Sequence, residues 1–167
     1  MILWMLRGEV PLYDQRMTDD SWTNADDAAF LFEALADDHP TRRASTFFMA
    51  VRNGAVAPDE LAKFVTPESL ADWGDFSDAR QDFRAIDAPG VGTTANRAAG
   101  ASDVVYVKIL SGIREPELHT EPTPMIVPGV FTMVWRPELG GWLIHRFGEY
   151  ALPEQLPRTS PESAPEV

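Results

Sequence analysis

The sequence predicts a single α+β domain, with helices in its first half and an antiparallel sheet in its second. Apolar residues between positions 24 and 73 follow helical spacing. From Pro89 onward glycine, threonine and valine become frequent, and the apolar period shifts toward two. Two apolar, partly aromatic runs at 130–136 and 142–150 then flank a turn rich in proline and glycine. The length of 167 residues suits one domain.

Capping and breaking residues divide the helical region into segments. Asn24 can cap a first helix, and His39 ends it because a residue before proline avoids the α conformation. A second helix then begins with Thr41 as its cap and ends at Gly54 in a left-handed stop.

Two shorter helices follow. Pro58 begins one of them, and Thr66 with Pro67 begins the other, which stops near Gly74. Residues 75–88 fit either a short helix or an irregular packed segment. Strands are predicted at 91–97, at 103–110 and in the C-terminal hairpin.

The hairpin has apolar residues on both of its sides. Pairing across a turn at 137–140 gives these cross-strand pairs: Trp135 with Trp142, Met133 with Ile144, Thr132 with His145, and Phe131 with Arg146. A sheet with one solvent-facing side alternates more regularly between apolar and polar residues. We therefore expect both faces of the sheet to be covered, one by the helices and the other by a second copy of the chain.

The two ends of the chain have a different composition from its centre. Residues 1–20 are predicted to form an N-terminal arm, 21–152 the domain, and 153–167 a disordered tail with a proline every four residues. The apolar start, residues 1–6, lacks the basic region and cleavage site of a signal peptide. No apolar run approaches the length that spans a bilayer.

Charge and cysteine content narrow the function classes. The chain has 26 acidic and 14 basic residues and a net charge of −12, which argues against nucleic acid and anionic membranes as partners. An acidic surface suits a cationic partner. The absence of cysteine excludes disulfides, cysteine-ligated metals and thiol nucleophiles, and it favours a cytoplasmic location.

This order of elements resembles the NTF2-like superfamily (cystatin-like α+β roll), with ketosteroid-isomerase-like and SnoaL-like relatives. The resemblance is carried by the apolar patterns at 28–35, 64–70, 103–110, 130–135 and 141–147. It implies helices packed on a curved antiparallel sheet that encloses a conical pocket, often in a dimer formed through the sheet. The superfamily contains isomerase-like, dehydratase-like and epoxide-hydrolase-like enzymes and also non-catalytic binding, scaffold and immunity proteins. None of those catalytic residue sets maps onto this sequence.

Two residues are candidates for catalysis. His145 could act as a general acid or base, because imidazole titrates near neutral pH. Tyr106 could stabilise an oxyanion, but Asp103 points to the opposite face of the strand and cannot join it. Candidate pocket residues are Trp73, Thr132, Trp135, Trp142 and, in a proline-rich loop, His119.

The sequence leaves three functions open. The first is a dimeric NTF2-like module that binds a small apolar ligand or a protein partner without catalysis. The second is a small lyase, isomerase or hydrolase that uses His145 or Tyr106. The third is an acidic immunity-type protein that neutralises a basic partner. We expect no cofactor and no metal, because adjacent aspartates such as Asp37 and Asp38 are typical of turns and caps.

Overall fold

Helices precede a four-stranded sheet in the computed structural model, which describes residues 33–87, 89–112 and 126–167. In these ranges the helices are α1 (Pro40–Asn53), α2 (Pro58–Leu61), α3 (Leu70–Trp73) and α4 (Ser77–Ala85). The strands are β1 (Gly90–Ala98), β2 (Ala101–Ser111), β3 (Ile126–Arg136) and β4 (Gly141–Gly148). The predicted α+β class, with N-terminal helices beside a curved antiparallel sheet, is confirmed.

Proline and glycine set the ends of α1. Pro40 occupies the first helical position, and the Thr41 N–H donates to Nδ1 of His39 over 3.2 Å. The predicted cap at Thr41 is therefore wrong: His39 caps the helix, because Pro40 has no N–H and its fixed φ begins the helix one residue earlier. The left-handed stop at Gly54 is confirmed, with φ 68°.

The short helices after α1 begin close to the prolines that predicted them. Pro58 begins α2, and a 3₁₀ turn at Pro67–Ser69 leads from Thr66 into α3. The ambiguous segment 75–88 contains α4. Most of the predicted first helix lies outside the described residues.

Within the described residues the sheet is a meander in the order β1-β2-β3-β4, so β4 lies at one edge of these four strands. The predicted pairs of Trp135 with Trp142 and Met133 with Ile144 are confirmed. Beyond Ile144 the predicted register is wrong by one residue: Thr132 pairs with Arg146, and His145 is the extra residue of a β-bulge.

The bulge corrects the placement of the residues that follow it. Without the extra residue, Arg146 would lie opposite Phe131 and place a charge against the helices. With it, Phe147 pairs with Phe131, and the ring centroids lie 5.0 Å apart. A one-residue shift of this kind exchanges the two faces of a strand. The apolar side chain thus joins the core and the charged one does not.

Aromatic rings fill the space between the helices and the sheet. Phe83 lies 5.8 Å from Phe131 and 5.0 Å from Phe147, in edge-to-face geometry in both cases. Among the described residues, the fully buried aromatic side chains are Phe47, Phe48, Phe76, Phe83, Phe131 and Trp142. The face of the sheet toward the helices is therefore packed with the chain's own side chains.

After β4 the chain folds back over the face of the sheet that points away from the helices, which we call the second face. The hydroxyl of Tyr106 donates to the carbonyl of Ala151 over 2.9 Å, and the N–H of Ala151 donates to Thr132 Oγ1 over 3.2 Å. Leu156 then packs in a cluster with Val104 and Val134. Part of the second face is thus covered by the same chain.

The C-terminal strap, residues 153–167, is held in place instead of lacking structure as the composition predicts. Arg158 makes three N–O contacts of 2.6–3.0 Å with Asp103, whose side chain is fully buried. A buried carboxylate requires a cation and hydrogen bonds, and the strap supplies both. The prediction of disorder rested on the low apolar content of the tail, which contains no information about this ion pair.

The strap also covers part of the face at which a second copy of the chain was expected. The apolar character of the second face led us to expect a second copy there. Within one chain, Ala151 and Leu156 already cover the buried residues Ala98, Ala101, Val104 and Val134. The dimer stays a prediction, but it is no longer needed to explain these apolar positions.

None of the helices in the described ranges combines the length and the apolar character that a membrane crossing requires.

Replacement of Arg158 by methionine should destabilise the chain by about 3 kcal/mol, because it leaves the buried carboxylate of Asp103 without its cation. Urea unfolding measures this loss. The Asp103→Asn/Arg158→Met variant removes both charges and should be destabilised by less. An equal loss in both variants would contradict the importance of this ion pair.

Replacement of Gly129 by alanine should cost about 1–3 kcal/mol through overpacking. An added Cβ would lie 2.3 Å from Cζ of Phe147, so the ring would have to move. Thermal or urea unfolding gives the cost. In the Gly129→Ala/Phe147→Leu variant the smaller side chain restores room, so the combined loss should be less than the sum of the single losses. Additive losses would show that the two residues do not press on each other.

Candidate functional site

An open cleft lies between the α3–α4 region and the second half of β4. Its volume is about 630 Å³. The helical wall carries the carboxylates of Asp72, Asp75, Asp78 and Asp82, and the strand wall carries His145, Arg146 and Phe147. Trp73 and Phe83 provide aromatic surface at the same place.

A tight turn shapes the helical wall. Gly74 has φ 55° and ψ −128°, which is accessible to glycine, and Phe76 has φ 64°, which is uncommon for a bulky residue. The ring of Phe76 is 1% exposed and stacks on Trp73 with centroids 6.0 Å apart. Burial of this ring compensates for its backbone conformation and fixes the direction in which α4 begins.

The four carboxylates of the wall are not equivalent. Asp75 Oδ1 accepts a hydrogen bond from the Ser77 N–H over 3.0 Å, and the hydrogen bonds from Ser77 lower the pKa of Asp75. This carboxylate caps the start of α4. Asp72, Asp78 and Asp82 are exposed and have no hydrogen-bond or ion-pair partner among the described residues. They are the carboxylates that a ligand could use.

The bulge brings His145 to the cleft. The backbone N–H of Thr66 donates to the carbonyl of Ile144 over 2.9 Å, so the segment before α3 binds the free edge of β4 at the bulge. Nδ1 of His145 lies 2.9 Å from Oγ1 of Thr66. A bulge at a sheet edge commonly re-aims a side chain in this way.

A chain of hydroxyl groups sets the tautomer of His145. Oγ of Ser69 donates to the carbonyl of Thr66 over 3.2 Å, and Oγ1 of Thr66 donates to Oγ of Ser69 over 2.9 Å. The Thr66 hydroxyl has then used its proton, so Nδ1 of His145 must be the donor to it. We assign the proton of the neutral ring to Nδ1 from this network, which leaves Nε2 as an acceptor.

The imidazole is neutral at neutral pH. Burial lowers the pKa of His145, and the nearby charge of Arg146 lowers it further, against the opposing effects of Glu68 and Asp72. At this pH, Nε2 of the neutral ring is therefore available to accept a hydrogen bond from a ligand.

Arg136 holds the segment from Thr66 to Glu68, whose Thr66 contacts His145. Its side chain is 8% exposed, and Nη1 lies 3.0 and 3.2 Å from the two carboxylate oxygens of Glu68. Its Nε donates to Glu138, and Nη1 also donates to the carbonyl of Pro157 over 3.1 Å. One buried guanidinium thus ties the cleft side of the molecule to the strap.

The structure separates the candidate residues of the sequence analysis. Trp73 and His145 lie together at the cleft. Tyr106 and Thr132 lie on the second face and hold Ala151, and burial raises the pKa of Tyr106. Geometry therefore does not bring Tyr106 into a site with His145.

The remaining candidates have other surroundings. Nε1 of Trp135 donates to Oγ of Ser163 in the strap over 3.1 Å, and Trp142 is 1% exposed in the core. His119 lies outside the described residues. Asp72, Asp78, Asp82 and Arg146 are cleft residues that the sequence did not predict. The i, i+4 spacing of Asp78 and Asp82 in α4 places both on one side of that helix. The sequence of β4 alone gives no sign of the bulge that brings Arg146 to the cleft.

Among the residues that the structure describes, no three histidine, aspartate or glutamate side chains are grouped in a way that could hold a metal ion. Comparisons with known protein families, with curated proteins and with solved structures found no match.

The stability of the chain should fall as the pH drops below the ordinary histidine pKa of 6.5. The pKa of His145 is lower in the folded chain, so the unfolded chain takes up the proton first, and the stability present above that pH is lost progressively below it. Urea unfolding at about pH 7.5 and about pH 5.5 measures the loss.

The His145→Gln variant should lose less stability over this interval than the unmodified chain. His39 also has a pKa lowered by burial, so the His39→Gln variant is the matched control for the second histidine. An unchanged pH dependence in His145→Gln would show that the imidazole is not held in the neutral form by its surroundings.

Proposed function

We propose that this chain is a non-catalytic NTF2-like module whose acidic cleft binds a cationic segment of a protein partner. The observation that carries the proposal is the convergence of Asp72, Asp78 and Asp82, none with a hydrogen-bond or ion-pair partner in the described chain, on a cleft that also contains Trp73 and His145. An immunity-type role, in which the chain neutralises a basic protein, is one form of this function.

The chemistry of the cleft suits an arginine or lysine side chain. Carboxylates accept charge-assisted hydrogen bonds from guanidinium and ammonium groups. Trp73 is partly exposed at the cleft, and an indole ring attracts cations. Nε2 of His145 supplies a neutral acceptor at the opposite wall. Arg146, on that wall, favours a ligand that presents its cation to the helical side.

The same features disfavour a small apolar ligand. Such a ligand would desolvate the exposed carboxylates of Asp72, Asp78 and Asp82 without giving them hydrogen bonds, which costs free energy. The space between the helices and the sheet, where the superfamily resemblance predicts an apolar pocket, is filled by Phe47, Phe83 and other buried rings. We therefore favour the protein partner over the apolar ligand.

Several observations support binding without catalysis. Tyr106 lies on the other face, and its hydroxyl is engaged by the carbonyl of Ala151. The cleft is open, so water has access to the neutral His145 and to the carboxylates. A proton-transfer site gains much of its strength from excluding water.

The net charge of the chain would assist association. A charge of −12 attracts a basic partner over a distance of roughly one Debye length, about 8–10 Å at physiological salt. The cleft would then give the encounter its specificity, because its carboxylates and aromatic ring lie at fixed positions.

A fluorescently labelled peptide of alternating arginine and glycine tests this function. Fluorescence anisotropy at low salt should show binding, and the Asp72→Asn/Asp82→Asn variant should bind about tenfold more weakly, which corresponds to about 1.4 kcal/mol for two partly screened charges. Added salt should weaken binding to the unmodified chain.

The matched control is Asp38→Asn/Asp59→Asn, which removes two exposed charges away from the cleft. It should retain nearly the full affinity. An equal loss in both variants would show that the peptide responds to net charge alone, and absence of binding at low salt would overturn the proposal.

A further inference from the structure

The prolines of the strap present their carbonyl groups to the sheet at regular intervals. The carbonyl of Pro157 accepts a hydrogen bond from Arg136 over 3.1 Å, that of Pro161 from Ser102 over 3.0 Å, and that of Pro165 from Arg97 over 2.6 Å. The three donors belong to β3, β2 and β1 in turn. The four-residue spacing of the prolines thus matches a row of donors that crosses three strands.

The strongest anchor of the strap lies at Leu156, Pro157 and Arg158. Leu156 is 9% exposed and packs in one cluster with Val104 and Val134. Arg158 forms its three N–O contacts with the fully buried Asp103. An apolar contact beside a buried carboxylate selects both the shape and the charge of the segment that occupies it.

The strap is attached to the sheet through side chains. Its backbone-to-backbone hydrogen bonds in the described part of the chain join residues of the strap to one another or to the adjacent Leu152. The β-ladder therefore does not depend on the strap, and the donors on the sheet would be free to receive another segment of the same kind. Prolines lack an N–H, so a segment of this kind offers its carbonyl groups to the sheet, and the strap does so with a 3₁₀ turn at Pro161–Ser163.

We propose that Arg97, Ser102, Asp103 and Arg136, with the apolar contact at Val104 and Val134, form a docking site for a proline-spaced peptide that turns at its second proline, as the strap does in the 3₁₀ turn Pro161–Ser163. The pattern it recognises is Leu-Pro-Arg followed by prolines four and eight residues after the first. Residues 153–167 occupy the site in cis, and a peptide of this pattern on a protein partner exchanges with them. This site is separate from the acidic cleft and does not rest on the function proposed for it.

The strap has a large advantage over any competitor. Its short connection to β4 gives it an effective concentration in the millimolar range, about a thousand times that of a micromolar partner. Exchange therefore requires a multivalent partner, a high local concentration or a weakened strap. Recognition of proline-rich segments by aromatic and polar surfaces is a recurrent mode of peptide binding.

A chain with a protease site inserted after the exposed Leu152 tests the proposal. The folded full-length chain is cleaved at this site and then mixed with a labelled synthetic peptide of residues 153–167. We expect the cleaved strap to remain bound during gel filtration and to exchange with the labelled peptide, with saturable anisotropy. The uncleaved chain should bind the same peptide at least about tenfold more weakly, because its own strap competes.

Peptide variants test the anchor. Arg158→Ala in the labelled peptide should weaken binding at least about thirtyfold, because it leaves Asp103 buried without a partner. Glu162→Gln is the matched control, since Glu162 is exposed and forms no ion pair in the described chain, and it should bind as the natural peptide does. Equal affinity of the Arg158→Ala peptide would overturn the proposal.

Two further outcomes decide the remaining cases. Loss of the cleaved strap on the column together with no binding of labelled peptide, while circular dichroism shows an intact sheet, would overturn the proposal.

If the cleaved chain unfolds, the Leu156→Ala variant of the uncleaved chain is used instead. This substitution weakens the strap, so peptide binding should rise above that of the unmodified chain. No rise would overturn the proposal. A dimer of the Leu156→Ala chain that the peptide dissociates would support it, with the second copy's strap as the occupant.

Discussion

The extra residue at His145 is the constraint on which the arrangement of this molecule depends. β4 is an edge strand that must satisfy two neighbours: β3 on one side and the segment at Val65 and Thr66 on the other. Before the bulge, Ile144 serves both neighbours, since it pairs with Met133 and accepts a hydrogen bond from Thr66. After it, the strand has exchanged its faces, which directs Phe147 into the core and leaves Arg146 at the cleft.

The core and the cleft are consequences of this single shift. Phe147 can pack against Phe83 and Phe131 because Gly129 leaves room for its ring. The side chain of His145, which has no partner across the sheet, is held by Thr66 and thereby fixed in tautomer. The acidic wall of α3 and α4 then faces an imidazole acceptor and an aromatic ring. The bulge in β4 therefore determines both the packing of Phe147 in the core and the position of His145 at the cleft.

Arg136 connects this region to the opposite side of the sheet. A guanidinium that is 8% exposed must satisfy its donors, and it does so with Glu68, Glu138 and the carbonyl of Pro157. Glu68 lies in the same short segment as Thr66, whereas Pro157 lies in the strap. The pKa of Glu68 is low even though burial acts to raise it, because hydrogen bonds from its own backbone N–H and from Arg136 outweigh the burial. The ion pair is thus present throughout the neutral range.

Local signals predicted the parts of the fold that are determined locally. Pro58, Thr66 with Pro67, and Gly54 mark element ends because their backbone limits act within a few residues. The hairpin turn fixed the register as far as Ile144 for the same reason.

The bulge and the strap depend on contacts distant in sequence. The bulge needs Thr66, 79 residues from His145, and the strap needs Asp103, 55 residues from Arg158. One signal was present in the sequence: the predicted pair of Phe131 with Arg146 set a charge against an apolar core. That conflict indicates an added residue between Ile144 and Arg146, and its resolution is what brings His145 to the candidate site.

Nuclear magnetic resonance of the chain during titration with an arginine-containing peptide shows whether the cleft beside the bulge binds a cationic partner, because indole and imidazole signals report on separate regions. We expect the signals of Trp73 and His145 to shift as the peptide is added, His145 to retain its proton on Nδ1, and the indole N–H of Trp135 beside the strap to stay unchanged. Shifts at Trp135 without shifts at Trp73 and His145 would contradict this expectation.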